Sequence, residues 1–337
     1  MTPTQAAPTA QLRMDHSSAV QLAATTARDL AHLCRLPGFL PDQAAVLASE
    51  LASNLVKHAK DGALYLQPQP TGSGLEILAA DRGPGMAELT RCLTDGYSTT
   101  RSLGAGLGAV RRIASDFAIR SASGWGTIAY AGLAPPGRPD QRGSAIGALS
   151  LPADTEERCG DACAVADAGD ARTALIVDGL GHGPQAAEAA ETAISTFHRA
   201  QDAPLPQLVA EVHRALRLTR GAAVGLLRLR VGRAECCGIG NIRFLAVSPH
   251  EIHHRFTGQP GVVGWNVPRP VVRSLPLPAG TTLVLHTDGI AARWADAPSP
   301  FLLRLPPPLL AAALVHGHRY GNDDAAVLAG RVPRERP

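Results

Sequence analysis

The sequence predicts an α+β chain of two domains, and three observations carry that expectation. Its 337 residues suit two domains of ordinary size. The run Ala134-Pro135-Pro136-Gly137-Arg138-Pro139-Asp140-Gln141-Arg142-Gly143-Ser144 is rich in Pro, Gly and charge and has no periodicity, so residues 134–145 read as a linker. The flanking stretches, 15–133 and 146–332, each mix helical and strand patterns, and their motif sets differ, with no internal repeat.

Composition bounds what these domains can be. Hydrophobic residues make up 45% of the chain and charged residues 18%, enough to bury a core in each half. Aromatics are only 4%, so Ala, Leu, Val and Ile must build the cores. A net charge of +3 is too small to argue for nucleic acid or a membrane surface. The polar start, MTPTQAAPTAQLRMD, lacks the apolar run of a secretory signal, and no stretch is long enough for a membrane span, so the expected location is the cytoplasm. Cys34, Cys92, Cys159, Cys163, Cys236 and Cys237 form no C-x-x-C pair. A zinc site from the last four would not match the common structural spacings, and reduced thiols are the simpler reading.

In the first half, residues up to about Asp15 look disordered. Ser17 to Arg35 has a helical pattern that stops at Pro37-Gly38. A second helix is expected from about Asp42 to Lys60, with Pro41 at its start, Gly62 just past its end, and Leu47, Leu51 and Leu55 on its apolar stripe. Glu50, Asn54 and His58 recur every four residues and share one face beside that stripe. A carboxylate and an amide so stacked can hold a hydrated magnesium ion and orient a nucleophile; a solvated helix face would look the same. Strand patterns Ala63–Gln67 and Leu75–Ala80 lead to Asp81-Arg82-Gly83-Pro84-Gly85, where a carboxylate at a strand end can accept a hydrogen bond from a base amino group, or where the chain simply turns. Then comes a hydroxyl-rich loop with Thr99 and Thr100, glycines at 104, 106 and 108, and a helix. Backbone N–H groups at a glycine-rich helix start bind phosphates. It is neither a Walker A loop nor a dinucleotide fingerprint. Strand patterns Phe117–Ser121 and Thr127–Ala131 close the half.

The second half opens with a strand pattern, then Cys159-Gly160-Asp161-Ala162. Ala162–Ala166 and Ala174–Val177 read as neighbouring strands. The second ends in Val177-Asp178-Gly179-Leu180-Gly181-His182-Gly183, a turn that suits a metal site, a phosphate site or a sharp bend. Helices are expected over Gly183–Ala200 and Leu205–Leu218. Ala222–Val231 and Ala234–Val247 read as a hairpin across Gly232-Arg233. Further strands are expected near Val262, over Val271–Leu275 and over Thr281–His286, ending in Thr287-Asp288-Gly289. A Pro-rich helical segment and Gly321-Asn322-Asp323-Asp324, leading into a final strand, complete the chain. Asp161, Asp178, Asp288 and Asp323 thus all stand at strand ends or turns. Carboxylates without His or Cys suit the oxygen-preferring ions Mg²⁺ or Mn²⁺, and a pair of such ions would activate water against a phosphoryl group. Any one Asp alone is an ordinary turn residue.

The order of motifs carries two resemblances. "ELASNLVKHA…DRGPGM…GYSTTRSLGAGLGAVRRIASDF", over about residues 15–132, resembles the N, G1 and G2 boxes of the GHKL ATP-binding superfamily, and within it the RsbT-type anti-sigma-factor serine kinases. The resemblance implies a Bergerat α/β sandwich that binds ATP and Mg²⁺. By it, Asn54 ligates Mg²⁺, Asp81 reads adenine, and Gly83 and Gly85 shape the pocket. His58, Thr99 and Thr100 would lie at the nucleotide, Gly104, Gly106 and Gly108 would cover the phosphates, and Glu50 would be the general base. "GDA…VDGLGHG…HTDGI…NDDAAVL", over about residues 145–332, resembles the metal-dependent PPM phosphatases of the SpoIIE/RsbX branch. This implies an α-β-β-α sandwich with two Mn²⁺ or Mg²⁺ ions, held by Asp161, Asp178, Asp288, Asp323 and the Gly179 carbonyl. Ala326 departs from the pattern, which commonly has Thr or Ser there. His182 is a candidate proton donor or a loop residue. No dimerisation helix with a phosphoacceptor His precedes the N box, against a histidine kinase.

Together the resemblances imply a bifunctional switch that phosphorylates and dephosphorylates Ser/Thr on a STAS-domain antagonist or stressosome scaffold. A downstream phosphatase or sigma factor is a further candidate partner, and a homodimer is allowed. The alternatives are a phosphatase whose N-terminal domain only binds ATP or a partner, and a non-catalytic scaffold, which would have no need for four converging carboxylates.

Overall fold

A computed structural model describes residues 9–71, 74–86, 89, 106–135 and 145–334. The chain forms two compact units, Thr9–Ser144 and Ala145–Pro337.

In the N-terminal unit, strand β1 (Ala10–Arg13) is followed by helices α1 (Ser18–Leu33) and α2 (Leu40–His58). Strands β2 (Ala63–Pro68) and β3 (Leu75–Ala80), helix α3 (Gly106–Ile113), and strands β4 (Asp116–Ala122) and β5 (Gly126–Leu133) complete it. The strands make one antiparallel sheet in the order β1-β2-β3-β5-β4. β1 corrects the expectation of disorder before Asp15, for the described residues. The short polar segment AQLR has no strand signature, but its backbone pairs with Ala63–Leu66 at the sheet edge. The leucine stripe of α2 behaves as its period dictates: Leu47, Leu51 and Leu55 pack on Leu64, Leu66, Ile77, Ala129 and Ala131. The buried face of α1 is all alanine, Ala23, Ala27 and Ala31, while Leu22 and Leu33 stay exposed. Small residues let α1 approach closely.

The C-terminal unit holds β6 (Ile146–Leu151), β7 (Asp161–Ala168), β8 (Ala171–Gly179), α4 (Pro184–Ala200) and α5 (Leu205–Ala215). There follow β9 (Ala222–Arg230), β10 (Arg233–Ile239), β11 (Arg243–Val247), β12 (Ile252–Thr257), β13 (Arg273–Pro276) and β14 (Thr282–His286). Short α6 (Pro300–Leu303), α7 (Pro307–His318) and β15 (Ala325–Arg331) end it. Two five-stranded antiparallel sheets result, β13-β10-β9-β8-β7 and β12-β11-β14-β15-β6. Helices α4 and α5 pack on the first sheet and α7 on the second, giving four layers in the order α-β-β-α. Strand alternation builds both interiors of the first sheet: Ile176 and Leu227 point between the sheets with Phe244, Leu285 and Leu328. Leu175 and Val177 face α4 and α5 with Ile194, Phe197, Leu208 and Val212. Phe197 is fully buried, and removing a side chain of that size from water contributes on the order of 2 kcal/mol.

The same alternation disposes of the zinc alternative. Adjacent Cys236 and Cys237 point into different cores, one between the sheets and one beneath the helices, and both are free thiols.

Two expected strands are corrected, and one strand was not expected. Residues 234–247 are two strands in different sheets, because the chain breaks at Gly240 (φ +93°) and crosses over. Val262 makes only isolated bridges. Ile252–Thr257 was not expected, since its exposed His253, His254 and Arg255 hide an edge strand.

Candidate functional site

The antiparallel register of β7 and β8 sets Asp161 directly opposite Asp178. Each has one carboxylate oxygen, Oδ2, buried with no hydrogen-bond partner among the described residues. Burial, and next the charge of Asp178, holds the Asp161 carboxyl well above the usual range. Burial, and next Asp288, pushes Asp178 up to about 7. The turn after Asp178 must be glycine. A side chain on Gly179 would begin 2.5 Å from the Ala186 carbonyl oxygen, and Gly181 and Gly183 have φ of +81° and +78°. Gly179 N–H donates to the Gly160 carbonyl over 3.0 Å, which locks the ends of β7 and β8 together.

The second sheet supplies Asp288, exposed just beyond β14, and the pair Asp323–Asp324 just before β15. A Cβ on Gly289 would lie 1.9 Å from the Asp324 carbonyl oxygen, so glycine lets these turns touch. Asp323 is half-buried, and burial followed by Asp288 raises its carboxyl. Its neighbour has a different task. Asp324, 2% exposed, accepts from the Ala153 and Gly160 N–H groups at 2.8 and 2.7 Å, clasping the chain on either side of Asp154–Cys159. His286, held neutral by burial with its pKa lowered to about 4, donates from Nδ1 to the Thr287 carbonyl and lies 3.4 Å from the Trp294 indole nitrogen. At Ala326, where a hydroxyl was missed, Thr287 Oγ1 accepts from the Ala326 N–H over 2.9 Å and is also a partner of Asp161.

The carboxylates act on one another electrically without closing into a cage: among the described residues no three His, Cys, Asp or Glu side chains form a ready-made metal group. Like charges keep apart, and a cation is what would draw them together. The donors nonetheless fit a hard divalent ion, being all oxygen, two of them buried and orphaned.

Two residues here were not expected. Asn241 donates from Nδ2 to Asp288 Oδ2 over 2.8 Å and is also a hydrogen-bond partner of Asp178, so it bridges carboxylates of both sheets. Glu156 Oε1 lies 2.7 Å from Nδ1 of the exposed His182. The signal for Asn241 was Gly240-Asn241 inside an otherwise apolar run; nothing in the sequence marks Glu156.

The N-terminal unit has its own polar site. Among the described residues the buried Nδ2 of Asn54 has no hydrogen-bond partner, while Glu50 on the same face of α2 is half-buried and His58 exposed. Asp81 leaves β3 with its N–H on the Thr127 carbonyl at 3.0 Å, and its Oδ1 accepts from Gly83 N–H at 2.6 Å. Burial raises its carboxyl. Arg82 N–H donates to the Lys60 carbonyl at 2.8 Å, and a Cβ on Gly83 would approach the His58 carbonyl to 3.3 Å, so this turn lies against the end of α2. Gly85 (φ +78°) abuts Ala122, where a side chain would begin 2.3 Å from the carbonyl oxygen. Gly106 begins α3 and Gly108 is buried within it. Thr99, Thr100 and Gly104 lie outside the described residues.

Comparison with known proteins finds relatives for stretches of this chain. Residues 169–333 match the family described as stage II sporulation protein E (SpoIIE). The serine/threonine-protein kinase RsbT of Bacillus subtilis (strain 168) is 40% identical over 90 residues, 26% of this chain and 68% of that protein. Among solved structures, one from work on the bacterial stressosome as a modular system adapted to control secondary messenger signaling is 30% identical, with a TM-score of 0.51, over 56% of this chain and 98% of the other. RsbX in complex with magnesium is 18% identical with a TM-score of 0.46, over 55% of this chain and 93% of that one. The chain therefore joins a SpoIIE-type domain to an RsbT-like segment. Through that segment it belongs to the RsbT family. No helix among the described residues is long and apolar enough to cross a membrane.

Proposed function

We propose that this chain is a bifunctional regulator: a metal-dependent phosphatase of phosphoserine or phosphothreonine in its C-terminal unit and an ATP-dependent Ser/Thr kinase in its N-terminal unit. The observation that carries the phosphatase is the facing pair Asp161–Asp178, with two buried orphaned oxygens beside further carboxylates from the other sheet. Asp161, Asp178, Asp288, Asp323 and the Gly179 carbonyl would hold two Mn²⁺ or Mg²⁺ ions. Bound, those ions supply an activated water and neutralise the phosphoryl group. Asn241 orients Asp178 and Asp288, and Asp324 fixes the turns that present Asp161 and Asp323.

In the N-terminal unit Asn54 would hold Mg²⁺ and Asp81 the adenine. Gly83 and Gly85 would let the base approach, Gly106 and Gly108 the phosphates, with Thr99, Thr100, Gly104 and His58 completing the nucleotide site. Glu50 would accept the proton of the substrate hydroxyl. Catalysis there is positioning and charge neutralisation. The substrate class is a STAS-domain protein of a cytoplasmic partner-switching or stressosome assembly, which fits the family of both halves.

Manganese-dependent hydrolysis of p-nitrophenyl phosphate, abolished in Asp178→Ala, tests the phosphatase. Transfer of label from γ-labelled ATP to a purified STAS domain, abolished in Asn54→Ala, tests the kinase. Hydrolysis without any transfer would leave an N-terminal unit that binds nucleotide or partner alone.

A further inference from the structure

Against the turn that follows Asp178 lies a cation that none of the carboxylates uses. Arg220 is exposed at the end of the turn that follows α5, and among the described residues it makes no hydrogen bond or ion pair. Its Nη1 lies 3.1 Å from where a side chain on Gly181 would begin, three residues beyond Asp178. The two turns are joined through their backbones, for Leu180 N–H donates to the Gly221 carbonyl over 3.1 Å. Gly181 thus leaves room for a guanidinium against the turn that carries the chain away from Asp178.

Two exposed apolar side chains lie in the neighbouring turns. Leu218 is 100% exposed and Trp265 is 64% exposed. Trp265 is held in place: its indole nitrogen lies 3.4 Å from the Thr219 carbonyl, and a tight turn closes around it with Asn266 N–H on the Val262 carbonyl at 2.9 Å. Gly264 N–H donates to His213 Nδ1 on α5 at 3.0 Å, fixing that turn to the helix. Trp and Arg are residue types enriched at binding hot spots, and Trp265 stands against Gly221, the residue after Arg220.

We propose that Arg220 binds the phosphoryl oxygens of a phosphoprotein substrate, and that Leu218 and Trp265 receive the polypeptide beside the phosphorylated residue. A guanidinium is matched to phosphate, and beside a site of carboxylates it adds a positive group that can hold a dianionic phosphate ester in place. Arg220 is a positioning residue for substrate, and the apolar shelf makes the site select protein over small phosphate esters. This rests on the phosphatase reading above.

The test uses the full chain with Mn²⁺, and compares p-nitrophenyl phosphate with phosphocasein. Arg220→Ala raises KM for both, and the inhibition constant of inorganic phosphate, by about tenfold, the loss expected for one hydrogen bond to a charged group, with kcat within about twofold. Arg220→Lys recovers part of the loss. Leu218→Ser and Trp265→Ser raise KM for phosphocasein more than for p-nitrophenyl phosphate; Leu218 is fully exposed, so its replacement cannot act by unfolding. Unchanged phosphate inhibition in Arg220→Ala, in a protein whose wild type hydrolyses p-nitrophenyl phosphate, overturns the role of Arg220. Equal KM changes for the two substrates, or a shift from dimer to monomer in Trp265→Ser, overturn the shelf. A wild type without metal-dependent hydrolysis sinks the phosphatase reading and this inference with it.

Discussion

Asn241 donates its side-chain amide to Asp288 over 2.8 Å and pairs with Asp178 as well, so one neutral residue stands between two carboxylates from different sheets. Asn241→Ala removes a hydrogen bond to a charged group, a change of about 1.5–3 kcal/mol. The Mn²⁺ concentration for half-maximal hydrolysis should rise by about tenfold or more, in line with other outer-shell partners of metal ligands. An unchanged metal requirement would show that Asn241 is only packing.

The pH dependence of stability has a defined sign. Burial first and Asp288 second put Asp178 at about 7, and burial and Asp178 raise Asp161 in the same direction. An unfolded chain gives up such protons near pH 4. The raised pKa of Asp178 therefore adds stability that is full below about pH 4 and is lost as pH climbs to about 7. A divalent ion binds the carboxylate anions and removes that preference. Thermal melts in EDTA should fall between about pH 5 and about pH 7.5, and excess Mn²⁺ should flatten the trend. Parallel curves with and without metal would refute the assignment.

Asp323 and Asp324 are adjacent in sequence and opposite in consequence. Asp324→Ala strands the Ala153 and Gly160 N–H groups and should cost about 2–5 kcal/mol, read by denaturant unfolding. Asp323→Ala should change stability by about 0.5 kcal/mol or less while abolishing hydrolysis. If both variants lost stability alike, the division of labour would be wrong.

In the N-terminal unit, Asn54→Ala deletes a buried amide nitrogen that has no partner among the described residues. Stability should hold or rise slightly, since an unsatisfied buried group is removed, while binding of a fluorescent ATP analogue with Mg²⁺ is lost. Asp81→Ala should weaken the analogue even without Mg²⁺, because its proposed contact is to the base. Retained binding in both variants would take the nucleotide out of this unit.

Periodicity made much of this architecture legible. The Leu47–Leu51–Leu55 stripe gave α2 and its buried face, and carboxylates followed by glycine marked where strands end. Features set by distant pairing were not legible. AQLR in β1 is stabilised by its neighbour's backbone, and the apolar run 234–247 conceals a crossing between sheets at Gly240. Nor can a sequence tell which of two adjacent aspartates turns inward; the N–H groups that Asp324 accepts lie more than 160 residues earlier. Asn241 was missed for the same reason: its importance comes from the crossing, and the crossing was read as continuous strand.

That crossing has a mechanical consequence. Asp161 and Asp178 hang from one sheet, Asp288 and Asp323 from the other, and Asn241 sits in the segment that steps between them. An ion gripped here, as proposed, would be a rivet through the seam of the sandwich. Sliding one sheet over the other, by reshaping Phe244 or Leu285 in the interior, would change the gap the rivet must span. Metal affinity would then be a gauge of how the two sheets are aligned, and anything leaning on either sheet from outside would be felt at the ion.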